Sequence, residues 1–231
     1  MGETPEKIQW HPAFYAATEL ELQEDIEHLE LMREYNLSKE PIRIDLLIIN
    51  NGEKKAKLKN EIGHIMRRYN VIEYKSPTDN LSIDDFYKTL GYACLFKGYG
   101  TNVNQIPTNE LTISIFYEAY PRKMLLTIEM EGHTIEEKYP GIYYVYDFPF
   151  PVQIVVIKQL RSGEHKSLKV LSLNADRDDI KAFLKETEDL YSLREKQNVD
   201  AVMRLRKGES KEQLLSSGVD EDTIELAFTI K

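Results

Sequence analysis

The chain has 231 residues, 42% of them hydrophobic, with 14 tyrosines and 8 phenylalanines, enough to bury a substantial core in one large domain or in a core with an appendage. Its formal net charge of −9 excludes nucleic-acid binding driven by overall charge, so any such binding needs a local basic patch. One cysteine excludes an intramolecular disulfide, and with neither a signal-peptide core nor an apolar run near the ~20 residues of a membrane helix, a cytoplasmic, membrane-free setting is expected.

Residues 1–9 read as a loose arm. Pro12 suits the first turn of a helix, and the Glu-, Leu- and Ala-rich stretch after it predicts a helix ending before Asn36, with Tyr15, Leu22, Ile26 and Leu29 on one face. Glu19 falls near that face and Glu21 toward its flank. Two apolar runs follow, residues 42–49 and 69–75, bounded by Pro41, Asn50-Asn51-Gly52 and Ser76-Pro77; both read as strands. Between them lie Lys54, Lys55, Lys57, Lys59, Arg67 and Arg68, either a solvated connection or a phosphate-contacting surface. Their place between two charged strands favours the second.

Ser82-Ile83-Asp84-Asp85 opens a helix running to about Lys97, with Phe86, Leu90 and Ala93 or Cys94 as its buried stripe and Cys94 expected as a small buried hydrophobe. Strands are expected at 111–117, 142–148 and 152–160, the last two pairing as a hairpin, with a short helix from Pro121. A further strand is expected at 168–173 and a charged helix at 176–195. The tail from Gly208 reads as two short helices joined at Gly218, packed on the body or on another copy of the chain, which leaves a homodimer open. A helix-turn-helix reader is disfavoured because the second helix is acidic.

Several chemistries lack their residues. There is no phosphate-cradling Gly-x-x-x-x-Gly-Lys motif, Gly98-Tyr99-Gly100 lacks the downstream glycine of a dinucleotide fingerprint, and no Gly-x-Ser-x-Gly elbow is present. His11, His28, His64, His133 and His165 form no i, i+4 pair, which argues against a zinc site.

What remains is Asp45, Glu73 and Lys75. Burying an unpaired charge costs several kcal/mol, roughly, so charges embedded in apolar strands need one another, a metal, or exposure at a sheet end. Glu73 and Lys75 are i, i+2 and share one face of a strand, with Tyr74 on the other. If the Asp45 strand lies alongside, two carboxylates and an ammonium converge. Hard oxygen ligands of that kind suit Mg²⁺, which polarises a phosphate and acidifies a water while the lysine positions that water or stabilises developing charge. Glu-x-Lys also begins at Glu53, Glu136, Glu164 and Glu209, so spacing alone selects nothing; only the Glu73 copy ends an apolar, β-branched run after a strand that carries an acid. The alternative is a structural salt bridge between Asp45 and Lys75.

Ile-Asp-Leu-Leu-Ile-Ile, then Asn-Val-Ile-Glu-Tyr-Lys-Ser-Pro, then Leu-Ser-Ile-Asp-Asp-Phe-Tyr-Lys-Thr-Leu-Gly-Tyr-Ala resembles the PD-(D/E)XK nuclease superfamily, and more narrowly its bacterial putative-transposase and recombination-promoting nuclease group. The resemblance is good over residues 11–97, looser to about 160 and uninformative beyond. It implies an α/β, restriction-endonuclease-like core of order αβββαβ with a central mixed sheet flanked by helices, at residues 1–173, followed by a helical C-terminal extension at 174–231. It implies Mg²⁺-dependent cleavage of DNA, with Mn²⁺ as a substitute. Asp45, Glu73 and Glu21 would be metal ligands and Lys75 the catalytic lysine, Glu19 being the alternative helix acid. Tyr87, Lys88, Arg67 and Arg68 would meet substrate phosphate, the two arginines from the basic segment. Ile44 stands where the motif's nominal proline precedes the aspartate. A silent binding or regulatory module of the same fold, and a nuclease acting on RNA, are the alternatives.

Overall fold

Short, mostly aliphatic runs between residues 46 and 156 pair into one six-stranded mixed sheet. The computed structural model describes residues 42–50, 58–76, 78–161, 163–172, 175, 177–187, 193 and 202. The strands are β1 (Leu46–Ile49), β2 (Tyr69–Tyr74), β3 (Leu111–Tyr117), β4 (Ile135–Tyr139), β5 (Ile142–Val145) and β6 (Val152–Val156), in the order β1-β2-β3-β6-β5-β4. The three central strands β2, β3 and β6 run parallel, and β1 and the β5–β4 hairpin flank them antiparallel. The helices are α1 (Ile83–Gly98), α2 (Arg122–Met130), α3 (Lys166–Lys169) and α4 (Arg177–Thr187).

Parallel strands are covered on both faces and read as continuous apolar runs. Leu111 through Phe116 of β3 are all buried accordingly. Alternation then sorts side chains to two layers. Val71, Ile113, Ile115, Val152 and Ile154 meet Phe86, Leu90 and Ala93 of α1 and Met124, Leu125 and Ile128 of α2. Ile72, Phe116 and Val155 face the opposite way and pack with Ile62, Ile142 and Leu160. Asn70, fully buried, locks the first three strands together. Its amide donates to the carbonyls of Ile48 and Arg67, and its carbonyl oxygen accepts from Arg67 N–H and the Thr112 hydroxyl. A smaller cluster joins Val170 to Ile180, Phe183 and Leu184, so residues on both sides of position 173 share a core.

Some expectations are corrected. Residues 42–45 lie outside the first strand, and Asp45 occupies a bend at its start. The second strand ends at Tyr74, one residue before Lys75. Cys94 is exposed and Ala93 takes the buried position on α1. The strands expected at 142–148 and 152–160 end earlier, at Val145 and Val156. Residues 166–169, expected to enter a strand at 168, are instead helical, with Lys169 N–H and Val170 N–H bonded to the carbonyls of His165 and Lys166, because Val170 is buried by packing on α4 rather than by a sheet edge. β4 was not expected at all. Its Glu136, Glu137 and Lys138 are exposed, the charged composition that protects an edge strand from pairing further. The turn into β5 needs Gly141: its φ is +76°, and a Cβ there would lie 2.7 Å from the backbone of Gln159 and Leu160.

The expected helix of residues 12–35, with Glu19 and Glu21, lies outside the described residues, as do Lys54, Lys55, Lys57 and the tail from Gly208. No helix among the described residues is long and apolar enough to cross a membrane.

Candidate active site

In the antiparallel register Leu46 faces Ile72, so the next step outward sets Asp45 against Glu73. Both share the parity of Leu47 and Val71, which pack toward α1. The Asp45 carboxylate accepts the Tyr74 N–H at 3.0 Å, closing the ladder where the strand pairing stops. Glu73 is only 7% exposed, whereas Tyr74, on the opposite face, is exposed. The Lys75 backbone N–H is tied to the Phe116 carbonyl, and its side chain turns toward α1, with Nζ 3.7 Å from Glu73 and 2.9 Å from Asp85.

Asp85 was not anticipated as a site residue. Ser82-x-x-Asp85 forms a complete capping box at the start of α1, its hydroxyl and carboxylate each bonding the other residue's backbone N–H. The local rule accounted for the acid fully, so its second role as the partner of Lys75 was hidden. The short connection from Lys75 to Ser82 is the signal that the box returns to the end of β2.

The electrostatics follow from this crowding. Burial, and then the charge of Asp45, hold the Glu73 carboxyl above the usual range against the opposing pull of Lys75 and Lys88. Partial burial disfavours the Lys75 ammonium, but its hydrogen bond to Asp85 and the charges of Asp85 and Glu73 outweigh that and raise its pKa. Burial likewise opposes the Asp85 carboxylate, yet Ser82 and Lys75 prevail and hold it below the usual range. Lysine therefore stays protonated at neutral pH, while Glu73 is the strained charge.

That strain is measurable without any substrate. A group whose pKa is raised on folding contributes stability that is complete below its unfolded value, ordinarily 4.5, and lost as pH rises through the folded value. That contribution is withdrawn as pH rises above 4.5. Glu73→Gln in EDTA should therefore melt above the wild type at pH 7, the difference vanishing as pH falls below 4.5. Equal melting temperatures at pH 7 would count against the crowding.

The expected phosphate contacts divide. Lys88 lies close enough for its charge to act on both Glu73 and Lys75, with its ammonium 5.6 Å from the centre of the Tyr92 ring. The Tyr87 hydroxyl is taken by Glu131, just beyond α2. Arg67 and Arg68 precede β2, whereas Glu73 lies near its far end, so at ~3.3 Å per residue they stand roughly 20 Å from it. Arg67 donates to the Asn109 carbonyl at 2.7 Å, and Arg68 lies over the Tyr69 ring at 5.3 Å. Arg67 also lines an open cleft of about 680 Å³ with His64, Asn109, Tyr144 and Phe148, at the opposite end of the parallel strands from Glu73. Ligands of open α/β sheets bind outside the carboxyl ends of parallel strands, where Glu73 and Lys75 lie.

No ion pair joins Asp45 to Lys75 among the described residues; the lysine is held by Glu73 and Asp85. The simple strand-to-strand salt bridge is thus not what Asp45 forms. Comparison of the chain with family models, with curated proteins and with solved structures finds no match.

Proposed function

We propose that the chain is a Mg²⁺-dependent endonuclease hydrolysing DNA phosphodiester bonds, built on a restriction-endonuclease-like core and related to the PD-(D/E)XK superfamily and its transposase-associated group. The observation that carries this reading is the convergence of Asp45, Glu73 and Lys75 at one end of β1 and β2, on the side covered by α1. Element order supports it: β1, β2, α1 and a β3 parallel to β2 make up the ββαβ portion of such a core.

The donor set suits a hard cation. Asp45 and Glu73 offer carboxylate oxygens, Glu73 is destabilised by its acidic neighbour, and a divalent ion between them would relieve that repulsion. When bound, Mg²⁺ supplies charge neutralisation at the scissile phosphate and an acidified water. Lys75, kept protonated and aimed by Asp85, orients the attacking water and stabilises charge growing on the phosphate. Lys88 adds positive charge on the approach side.

One observation favours the second reading, a module with this fold that binds without cutting. Lys75 is 2.9 Å from Asp85 and 3.7 Å from Glu73, so its ammonium is drawn into an ion pair that also anchors α1. End-labelled duplex DNA, single-stranded DNA and RNA, each incubated with protein in Mg²⁺ or EDTA, separate the readings. Metal-dependent cutting of DNA is expected. Binding without cutting points to the module, and cutting of RNA alone shifts the substrate.

A further inference from the structure

On the other face of the sheet, the turn before β2 meets the turn after β6. Glu61 opens the 3-10 turn Glu61–Ile65, which Asn60 caps, and the chain beyond the turn Ile157–Gln159 delivers Arg161, Glu164 and His165. Ligating atoms of Glu61, Glu164 and His165 all lie within 4.8 Å of one another. Gln153, reaching from β6 to the Ile62 carbonyl, and the apolar contacts of Ile62 with Leu160 hold the two turns together.

The histidine is the anomaly. His165 is 5% exposed, and neither ring nitrogen has a hydrogen-bond partner; the buried Oε2 of Glu61 has none either. Buried polar atoms left unpaired cost about 1–3 kcal/mol each, so the facing pair, His165 Nε2 and Glu61 Oε2, calls for a ligand. His165 Nε2 stands 3.5 Å from Glu61 Oε2. Two ligands, each at ~2.1 Å from a tetrahedral metal, stand roughly 3.4 Å apart. Glu164, nearly half exposed, already stands close enough to close the set. Arg161 already holds the other oxygens, 2.9 Å from Oε1 of Glu164 and 3.8 Å from Oε1 of Glu61, as partners outside a metal's own ligands commonly do.

We propose that Glu61, Glu164 and His165 form a site for a first-row divalent transition metal, Zn²⁺ in the first instance, that clips the turn before β2 to the turn after β6. Imidazole nitrogen selects such ions over Mg²⁺ and Ca²⁺, which prefer oxygen alone. The site lies on the sheet face opposite Asp45 and Glu73 and does not depend on the nuclease reading. Its role is structural: residues far apart in sequence are tied through one ion, so binding should stabilise the fold.

Equilibrium dialysis of the full chain against Zn²⁺, with a metal-chelating dye as reporter, tests it alongside melting curves in Zn²⁺. Wild type should bind Zn²⁺ and melt higher in its presence. With Mg²⁺ in excess to fill any all-oxygen site, Glu164→Gln and His165→Gln should each bind Zn²⁺ at least ~10-fold more weakly. If His165→Gln does not fold, the partly exposed Glu164 decides alone. No Zn²⁺ uptake by the wild type, or undiminished uptake by Glu164→Gln, would overturn the site, leaving His165 beside Glu61 with no ion between them.

Discussion

Lys75→Ala should slow DNA cleavage by about 10²–10³-fold or more, the cost of removing one preorganised electrostatic donor, while Mg²⁺ still raises the melting temperature. The lysine sits beside both Glu73 and Asp85 yet offers no oxygen ligand, so its loss spares the two carboxylates that would hold a cation. Removing the ammonium also leaves Glu73 with less positive charge nearby, so metal affinity should hold or rise. Lys75→Arg should not restore the rate, because a planar guanidinium would fork onto Asp85 and cannot place a compact charge where the ammonium stood. Single-turnover cleavage of a labelled duplex and melting curves in Mg²⁺ check both halves of the expectation. A variant that cuts normally removes Lys75 from the chemistry.

The second large effect belongs to Asp45→Asn. An asparagine carbonyl oxygen can still accept the Tyr74 N–H that Asp45 takes at 3.0 Å, so the β1–β2 junction survives while a charged ligand is lost. At metal concentrations ~100 times the dissociation constant, binding stabilises the folded state by about 2.7 kcal/mol. For a chain of this size that is roughly 5–11 °C in melting temperature for the wild type. Asp45→Asn should lose most of that shift in Mg²⁺ and in Mn²⁺, and with it cleavage. Calorimetric melting with and without each metal reads the difference; a variant that gains as much as the wild type would place the cation elsewhere.

Much of this arrangement is legible in the residues. Glu73 and Lys75 are fixed to one face by their i, i+2 spacing, and the apolar runs around them mark the strands that carry them. The capping box at Ser82 and the buried stripe of Phe86, Leu90 and Ala93 are likewise local matters of spacing. What escaped depends on contacts between distant segments. Asp85 looked satisfied by its cap. β4 was hidden by the charges that guard its exposed edge. Arg67 and Arg68 looked close to the catalytic strand because they adjoin it in sequence, but six residues of extended chain carry its other end away from them. His165 has no ligand partner one helical turn away; its partners are the adjacent Glu164 and the distant Glu61, a pairing that i, i+4 spacing cannot reveal.

The central claim is that Asp45, Glu73 and Lys75 act together on a phosphodiester. Conversion of supercoiled plasmid to nicked and linear forms, followed over time in Mg²⁺ for wild type, Asp45→Asn, Glu73→Gln and Lys75→Ala, addresses it most directly. The expected result is metal-dependent conversion by the wild type, blocked by EDTA and lost in all three variants while each remains folded. Conversion that persists in EDTA, or at the wild-type rate in any one of the three, would contradict it.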